Sequence, residues 1–509
     1  PLANSLATDL YRLIPNSTDV SVFEERPWTI LNFAIIGNET RYHSAGDDLQ
    51  ALDRRSLQHM GDQALALALD LAAGGPVEAS GERLYADLLG RQLITLPLLL
   101  GLVLLGVLLL FFLVEAWRRR ALGRPLAAAA LALAGSAGVA ALGQLILALI
   151  RSGDYWRGQP GVTSLAVYAS AMSACLLALI LVGRAVETSR LRVAFWLLFL
   201  LLGAAIGAVA PGGAIYFLLP PLAAALGIAL RRLHPRAERA GAWAAILLLY
   251  LTFGPSLAMF EELMSDGPHW MFAPIGAAIL LPALIEAKGM IERVPRLLVL
   301  AGAGDLFLLP WAAAALTPAY TEDRQQLFTI DYAWDAAAGR GRWAVNNDGR
   351  PIPFEARWER GQLPYSQRRR WIAAAPPLAL APPAVTLIAD RPNGAGRRLT
   401  LRLRSNGAEI ITLLAPPGTP LRAAGAGRFM RPFGRARSDD RYALRCIGRR
   451  CDGAVVELLA PARAPLDLTV IGTRSGLPAA AEPLLRSRPA LARPQYSPDS
   501  TIAYANIRL

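Results

Sequence analysis

Charge is scarce in this chain. Asp, Glu, Lys and Arg together make up 18% of its 509 residues against 54% hydrophobic residues, a balance that excludes an ordinary soluble protein. Cysteine is scarcer still, at three residues. Cys446 and Cys451 lack the second pair or nearby histidine that a tetrahedral zinc set needs. In an oxidising compartment the two can instead close a small disulfide loop, while Cys175 falls in a long apolar run and reads as packing. The chain also has no initiator methionine and no signal peptide. It opens inside what reads as a helix of a half-built α/β domain, which predicts further protein upstream of Pro1.

What it has in abundance is long apolar runs. They fall at about Leu93 to Val114, Leu126 to Ile150, Leu165 to Gly183, Val193 to Ala210, Ala214 to Leu230, Ala242 to Phe260, Met271 to Ala287 and Leu297 to Leu316, each near the ~20 residues that cross a bilayer. About eight spanning helices are expected, the fifth and seventh being the shortest. Trp117 to Arg124, Arg184 to Arg192, Arg231 to Arg239 and Lys288 to Arg296 form basic connections that alternate with neutral or acidic ones. By the positive-inside rule these four loops are cytoplasmic and both soluble ends are extracytoplasmic, periplasmic or lumenal.

Few polar residues interrupt the spans, and a charge at mid-bilayer is costly enough to mark a pathway or a partner. Asp305, within AGAGDLFLLPW, is the clearest case. It reads as a relay or binding group, or as a carboxyl kept neutral or paired within the bundle, with Ala301 to Gly304 allowing another helix close approach. Gln144 can hydrogen-bond between helices. Glu115 is near enough to a helix end to reach water.

After Pro318 the pattern changes to short alternating segments punctuated by proline and glycine. Leu399, Leu401 and Leu403 alternate with Thr400, Arg402 and Arg404, as in a strand buried on one side. Further strands are expected at Leu327 to Ala333, Trp343 to Asn346, Ala384 to Ala389, Glu409 to Leu414, Tyr442 to Ile447, Ala454 to Leu459 and Leu466 to Ile471, together a β-sandwich-like domain. Most of the net charge of +13 lies here as arginine, including Arg368-Arg369-Arg370 and Arg428 to Arg450. Nucleic acid is not expected as a partner outside the cytoplasm; a solvated face, anionic lipid or acidic loops are the readings left.

Near the N-terminus, Tyr42-His43-Ser44-Ala45-Gly46-Asp47 places a histidine and a carboxylate four residues apart, after a short buried strand expected at Leu31 to Ile36. Neutral imidazole is the commonest protein ligand for zinc, and a carboxylate nearby can hold its other nitrogen or the loop. On spacing alone, a lone histidine beside an acid is more often a surface hydrogen-bonding pair. A helix is expected from Asp53 to Ala72, with Leu57, Met60, Ala64, Leu67, Ala68 and Leu71 near the helical period, and His59 on it reads as a structural or surface residue. The connector that follows has Glu82 to Leu89 as a further helical candidate.

Thr18-Asp19, Phe23, Asn32-Phe33-Ala34, Tyr42-His43, Asp47 and Ser56-Leu57-Gln58-His59-Met60 together resemble the C-terminal end of the catalytic domain of metallopeptidase family 28. These are the di-zinc aminopeptidases, and the arrangement here is similar to the membrane-anchored, vacuolar-membrane type. The resemblance implies that His43 is the last zinc ligand and Asp47 a supporting acid, with Ser44 in place of the more usual threonine. It implies two zinc ions as cofactor, a peptide substrate and a glutamate general base. The family supplies its other ligands and its base from an H-x-D element, a bridging aspartate and a Glu-Glu pair further upstream. No catalytic residue is therefore assigned within this chain, and the chain alone is expected to be inactive.

The organisation expected is thus a multi-domain membrane protein. Residues 1–74 are the C-terminal remnant of an α/β zinc-peptidase domain, 75–92 a connector, 93–316 an α-helical transmembrane bundle and 320–509 a β-rich extracytoplasmic domain. A transporter-like or scaffolding protein with a degenerate peptidase domain is the alternative.

Overall fold

The computed structural model describes residues 3–13, 23, 28, 30, 33–35, 37, 39–74, 82–89, 91–264, 267–427, 429–433, 441–461 and 465–509. The chain divides into two compact units, one of residues 1–42 and 47–321, the other of residues 43–46 and 322–509.

In the first unit, helix α1 (Ser5–Leu13) and helix α2 (Arg54–Ala72) bracket the N-terminal segment. Asp53 caps α2, its carboxylate accepting the Arg55 backbone N–H at 2.8 Å. The helix forms where its periodicity predicts it. None of its residues is buried, however. The expected strand at Leu31 to Ile36 is not supported: Phe33, Ala34 and Ile35 are exposed and irregular, and Leu31, Asn32 and Ile36 lie outside the described residues. A buried parallel strand needs ladder partners on its edges, and none is present among the described residues of this segment.

The second correction falls on Glu82 to Leu89, which is extended rather than helical. Strand β1 (Arg83–Leu88) pairs antiparallel with β2 (Gln92–Pro97). Leu84 and Ala86 point inward while Arg83 is exposed, so the period of two prevails over the helical one. Because β2 uses Leu93 to Pro97, the first long helix starts at Leu98, five residues after the expected start.

Among the described residues, eight helices are long and apolar enough to cross a membrane, in the places the apolar runs predict. They are α3 (Leu98–Arg118), α4 (Arg124–Ile150), α5 (Pro160–Ala178) continued by a π-helical turn to Gly183, α6 (Thr188–Val209), a 3₁₀ turn Pro211–Phe217 leading into α7 (Leu219–Leu230), α8 (Ala237–Leu263), α9 (Phe272–Ile291) after a 3₁₀ turn His269–Met271, and α10 (Arg296–Leu316). Small residues set their packing. A Cβ at Gly227 of α7 would lie 2.8 Å from the Gly241 Cα of α8, so these two backbones touch. Gly143 of α4 leaves room for the Trp311 indole of α10, whose Nε1–H donates to Ser170 Oγ of α5 at 2.9 Å. The bundle also supports the reading of Gln144, whose side-chain oxygen accepts the Trp270 N–H at 3.3 Å.

Glu115 departs from expectation. It is buried, with 5% of its surface exposed, and accepts from Arg119 and Arg231, each at 3.0 Å. Arg119 also reaches Glu238 of α8 at 2.7 Å. Arg192 of α6 then joins Glu238 to Glu286 of α9, at 2.6 Å to each. Four helices are thus tied by a chain of alternating charges. A carboxylate in an apolar surround keeps its charge only when paired in this way.

The second unit begins at β3 (Gln326–Asp335) and continues through β4 (Arg340–Asn347), β5 (Glu359–Gln362), β6 (Arg369–Ala375), β7 (Ala384–Asn393), β8 (Gly396–Arg404), β9 (Ile410–Leu414), β10 (Ala423–Ala426), β11 (Phe429–Pro432), β12 (Ala443–Ile447), β13 (Val455–Pro461), β14 (Asp467–Ser475), β15 (Ala492–Arg493) and β16 (Ser500–Arg508). The larger sheet runs β12-β9-β14-β16-β3-β4-β6-β5, with β15 beside β3, and the smaller runs β11-β10-β13-β8-β7. Leu399, Leu401 and Leu403 of β8 and Leu458 of β13 share one core with Ile411 and Leu413 of β9 and Val470 of β14. The two sheets therefore pack face to face. All eight expected strands are present, and β16 pairs in parallel with β3.

Candidate functional site

The histidine of interest lies in a turn after a single 3₁₀ turn, Glu39–Arg41. His43 adopts a left-handed backbone conformation, φ 54°, which is uncommon for a side chain with a Cβ. Its carbonyl accepts the Tyr496 N–H at 2.8 Å, and its ring meets the Tyr496 ring edge-on, centroids 5.3 Å apart. Three residues on, Gly46 is buried, and a Cβ there would overlap the Asp323 backbone oxygen. The Gly46 N–H donates to Ser44 Oγ at 3.2 Å. Backbone and glycine therefore fix the loop, and leave the His43 side chain exposed.

Asp47 is exposed just beyond the loop. The next acids turn to backbone work: Asp48 accepts from the Gln50 and Ala51 N–H groups, each at 2.9 Å. Asp53 also holds the Arg55 guanidinium, and that side-chain hydrogen bond pulls its pKa down to about 2. His59 is an exposed residue of α2. Thr18 and Asp19 lie outside the described residues.

A di-zinc centre needs several imidazole and carboxylate donors converging on one point. Among the described residues no group of three or more His, Cys, Asp or Glu side chains is placed to hold a metal ion. His43 is a single exposed imidazole in this respect. The described donor set does not fit a zinc centre, and no catalytic step is derived through one.

Away from this loop, Asp305 is exposed on α10 and makes no hydrogen bond or ion pair among the described residues. Of the readings given for it, pairing within the bundle is not seen among the described residues. Gly302 and Gly304 beside it have open space where a Cβ would stand. Cys446 and Cys451 are joined by a disulfide, with Cα atoms 5.7 Å apart and Cys451 wholly buried. In the arginine run, Arg370 turns inward to pair with Asp331, while Arg368 and Arg369 are exposed. Burial raises the Asp331 pKa, opposed by the Arg370 charge. The alternating charges of Glu115, Arg119, Arg192, Glu238 and Glu286 were not singled out from sequence as a set. Their signal was there, as acids and bases within about a turn of the ends of apolar runs.

The model of peptidase family M28 matches residues 1–68. No curated protein matches the chain.

Proposed function

From the match of residues 1–68 to the model of peptidase family M28, we propose that this protein serves as a membrane-anchored, zinc-dependent exopeptidase, an aminopeptidase that trims peptides outside the cytoplasm. That family match is the observation that carries the reading. In support, the YHSAGD loop carries His43, an exposed residue on a fixed backbone, as a metal ligand presented to a site requires. His43 is then one zinc ligand, and the other donors come from residues outside the described ones. Eight helices of spanning length and composition support the membrane anchor, and the four basic connections support extracytoplasmic ends.

The 509-residue chain by itself is inactive in this reading, because no three His, Cys, Asp or Glu side chains among its described residues are placed to hold a metal ion. The test has two arms. In the protein expressed from its whole gene, metal-dependent release of an N-terminal amino acid from a peptide is expected, with His43→Ala losing at least about a hundredfold, in keeping with loss of a ligand. Full activity in that variant sinks the ligand assignment. In the purified 509-residue chain supplied with zinc, no cleavage of an aminoacyl reporter is expected, and cleavage abolished by His43→Ala overturns the inactive reading.

One observation favours a second reading, of a transporter-like or scaffolding protein with a degenerate peptidase segment: the outward-facing Asp305 on α10. Under it, Asp305→Asn abolishes transport or assembly while leaving any peptidase activity whole.

A further inference from the structure

At one end of the helical bundle, the π turn that closes α5 meets the end of α9 and the start of α10. Between them is a narrow, shallow cleft lined by Leu179, Ile180, Arg184, Lys288, Ile291, Glu292, Val294, Arg296 and Val299. Its composition is divided. Five lining residues are apolar, and three of the remaining four are cationic. Lys288 is the only lysine in the sequence, and it is buried on the floor of the cleft, 7% exposed. Its ammonium donates to the Arg184 carbonyl at 3.0 Å and to Glu292 Oε1 at 2.6 Å.

That pairing accounts for one cation and the one carboxylate. Arg184 and Arg296 are exposed, and neither makes an ion pair among the described residues. Arg296 is also the first residue of α10, whose N-terminus has no side-chain cap, so the positive end of a 21-residue helix opens beside the same two guanidinium groups. Two arginines thus line the cleft beside an apolar wall, and two of the four basic connections of the bundle meet in it; an arginine fork is well suited to an anionic oxygen pair.

We propose that this cleft binds an anionic phospholipid, with Arg184, Arg296 and the α10 N-terminus on the phosphate and the acyl chains along Leu179, Ile180, Ile291, Val294 and Val299. The charge of the cleft, two cations beyond the Lys288–Glu292 pair, selects a headgroup with net negative charge over a zwitterionic one. The apolar wall selects a lipid over a soluble phosphate. The proposal rests on the reading that these helices span a membrane, and it is independent of the peptidase assignment.

The test uses the full chain, purified in a neutral detergent, stripped of lipid and titrated with phosphatidylglycerol or phosphatidylcholine of the same chain length, with bound lipid counted by native mass spectrometry. About tenfold tighter binding of phosphatidylglycerol is expected. The preference should vanish in Arg184→Gln/Arg296→Gln, two exposed positions whose change leaves the fold intact by size-exclusion profile. It should survive in Arg232→Gln/Arg236→Gln, which removes the same charge from another basic connection. Equal binding of the two lipids, equal loss in both double variants, or full competition by glycerol phosphate overturns the proposal. Extraction of the native membranes with alkaline carbonate separates the premise: release of the chain into the wash defeats the membrane reading itself, whereas retention without lipid preference defeats the cleft assignment alone.

Discussion

Gly46 and His43 show how little of the candidate site is made by side chains. Gly46 is needed for its missing Cβ, since any larger residue collides with the Asp323 carbonyl. Gly46→Ala is expected to cost about 1–3 kcal/mol, the usual range for forced overpacking, read as a lowered unfolding midpoint. His43→Ala removes the ring that meets Tyr496 edge-on and keeps the backbone hydrogen bond to Tyr496, so it should lower that midpoint less than Gly46→Ala does, costing about 0.5–1.5 kcal/mol. Tyr504 carries a pH dependence. Burial, reinforced by the Asp335 carboxylate that accepts its hydroxyl at 3.1 Å, lifts its pKa to about 12. The unfolded chain releases this proton near pH 10, so between about pH 10 and about 12 the folded state holds more protons and stability falls as pH rises. In ultraviolet titration of phenolate absorbance, the difference between the chain and Tyr504→Phe should rise only well above pH 10, and Asp335→Asn should bring that rise earlier. The residue types of the site were legible in sequence, because imidazole, carboxylate and thiol chemistry belong to the side chain. Which of them converge was not, because convergence is set by backbone far away in sequence, as with Tyr496 against His43.

Among the elements, the disulfide and the charge chain make opposite demands on their surroundings. The Cys446–Cys451 bridge closes a short loop between β12 and β13, with Cys451 in the sandwich core. By loop entropy its reduction should cost about 2 kcal/mol, read as a shift of the denaturation midpoint with and without dithiothreitol. Arg192 is a joint between helices. Arg192→Met leaves Glu286 buried without its counter-charge and is expected to cost about 3–5 kcal/mol, seen in thermal unfolding in detergent. Arg192→Met/Glu286→Leu should recover much of that loss; no recovery means the pair is not the source. Elements with strong periodicity were readable: α2, the eight apolar helices, and the alternating β8. Those missed were β1 and β2, taken for helix and span, and β5, β6, β10, β11, β15 and β16. Most of the latter are short, and a four-residue strand such as β5 owes its existence to the neighbour that pairs with it.

For the whole molecule, the decisive measurements concern sides and solvents. If the basic connections face the cytoplasm, a tag after Leu509 should be digested by protease added to the extracytoplasmic face of sealed vesicles, while one inserted between Arg184 and Arg190 is protected. Reversal of that pattern defeats the orientation. The sequence by itself determined the division into a helical apolar part and an alternating β-rich part, since the length and period of apolar runs dictate which backbone form can bury them. It also carries the likeness of the first 68 residues to peptidase family M28, whose family model matches them. Only the tertiary structure decided that Glu115 is buried in a chain of ion pairs, that Asp305 faces outward, that β8 and β9 close one core, and that the lone lysine lies on the floor of a cationic cleft. Each of these depends on what stands opposite a residue across the fold. Burial and pairing energies are set by that neighbour, and local sequence carries no record of it.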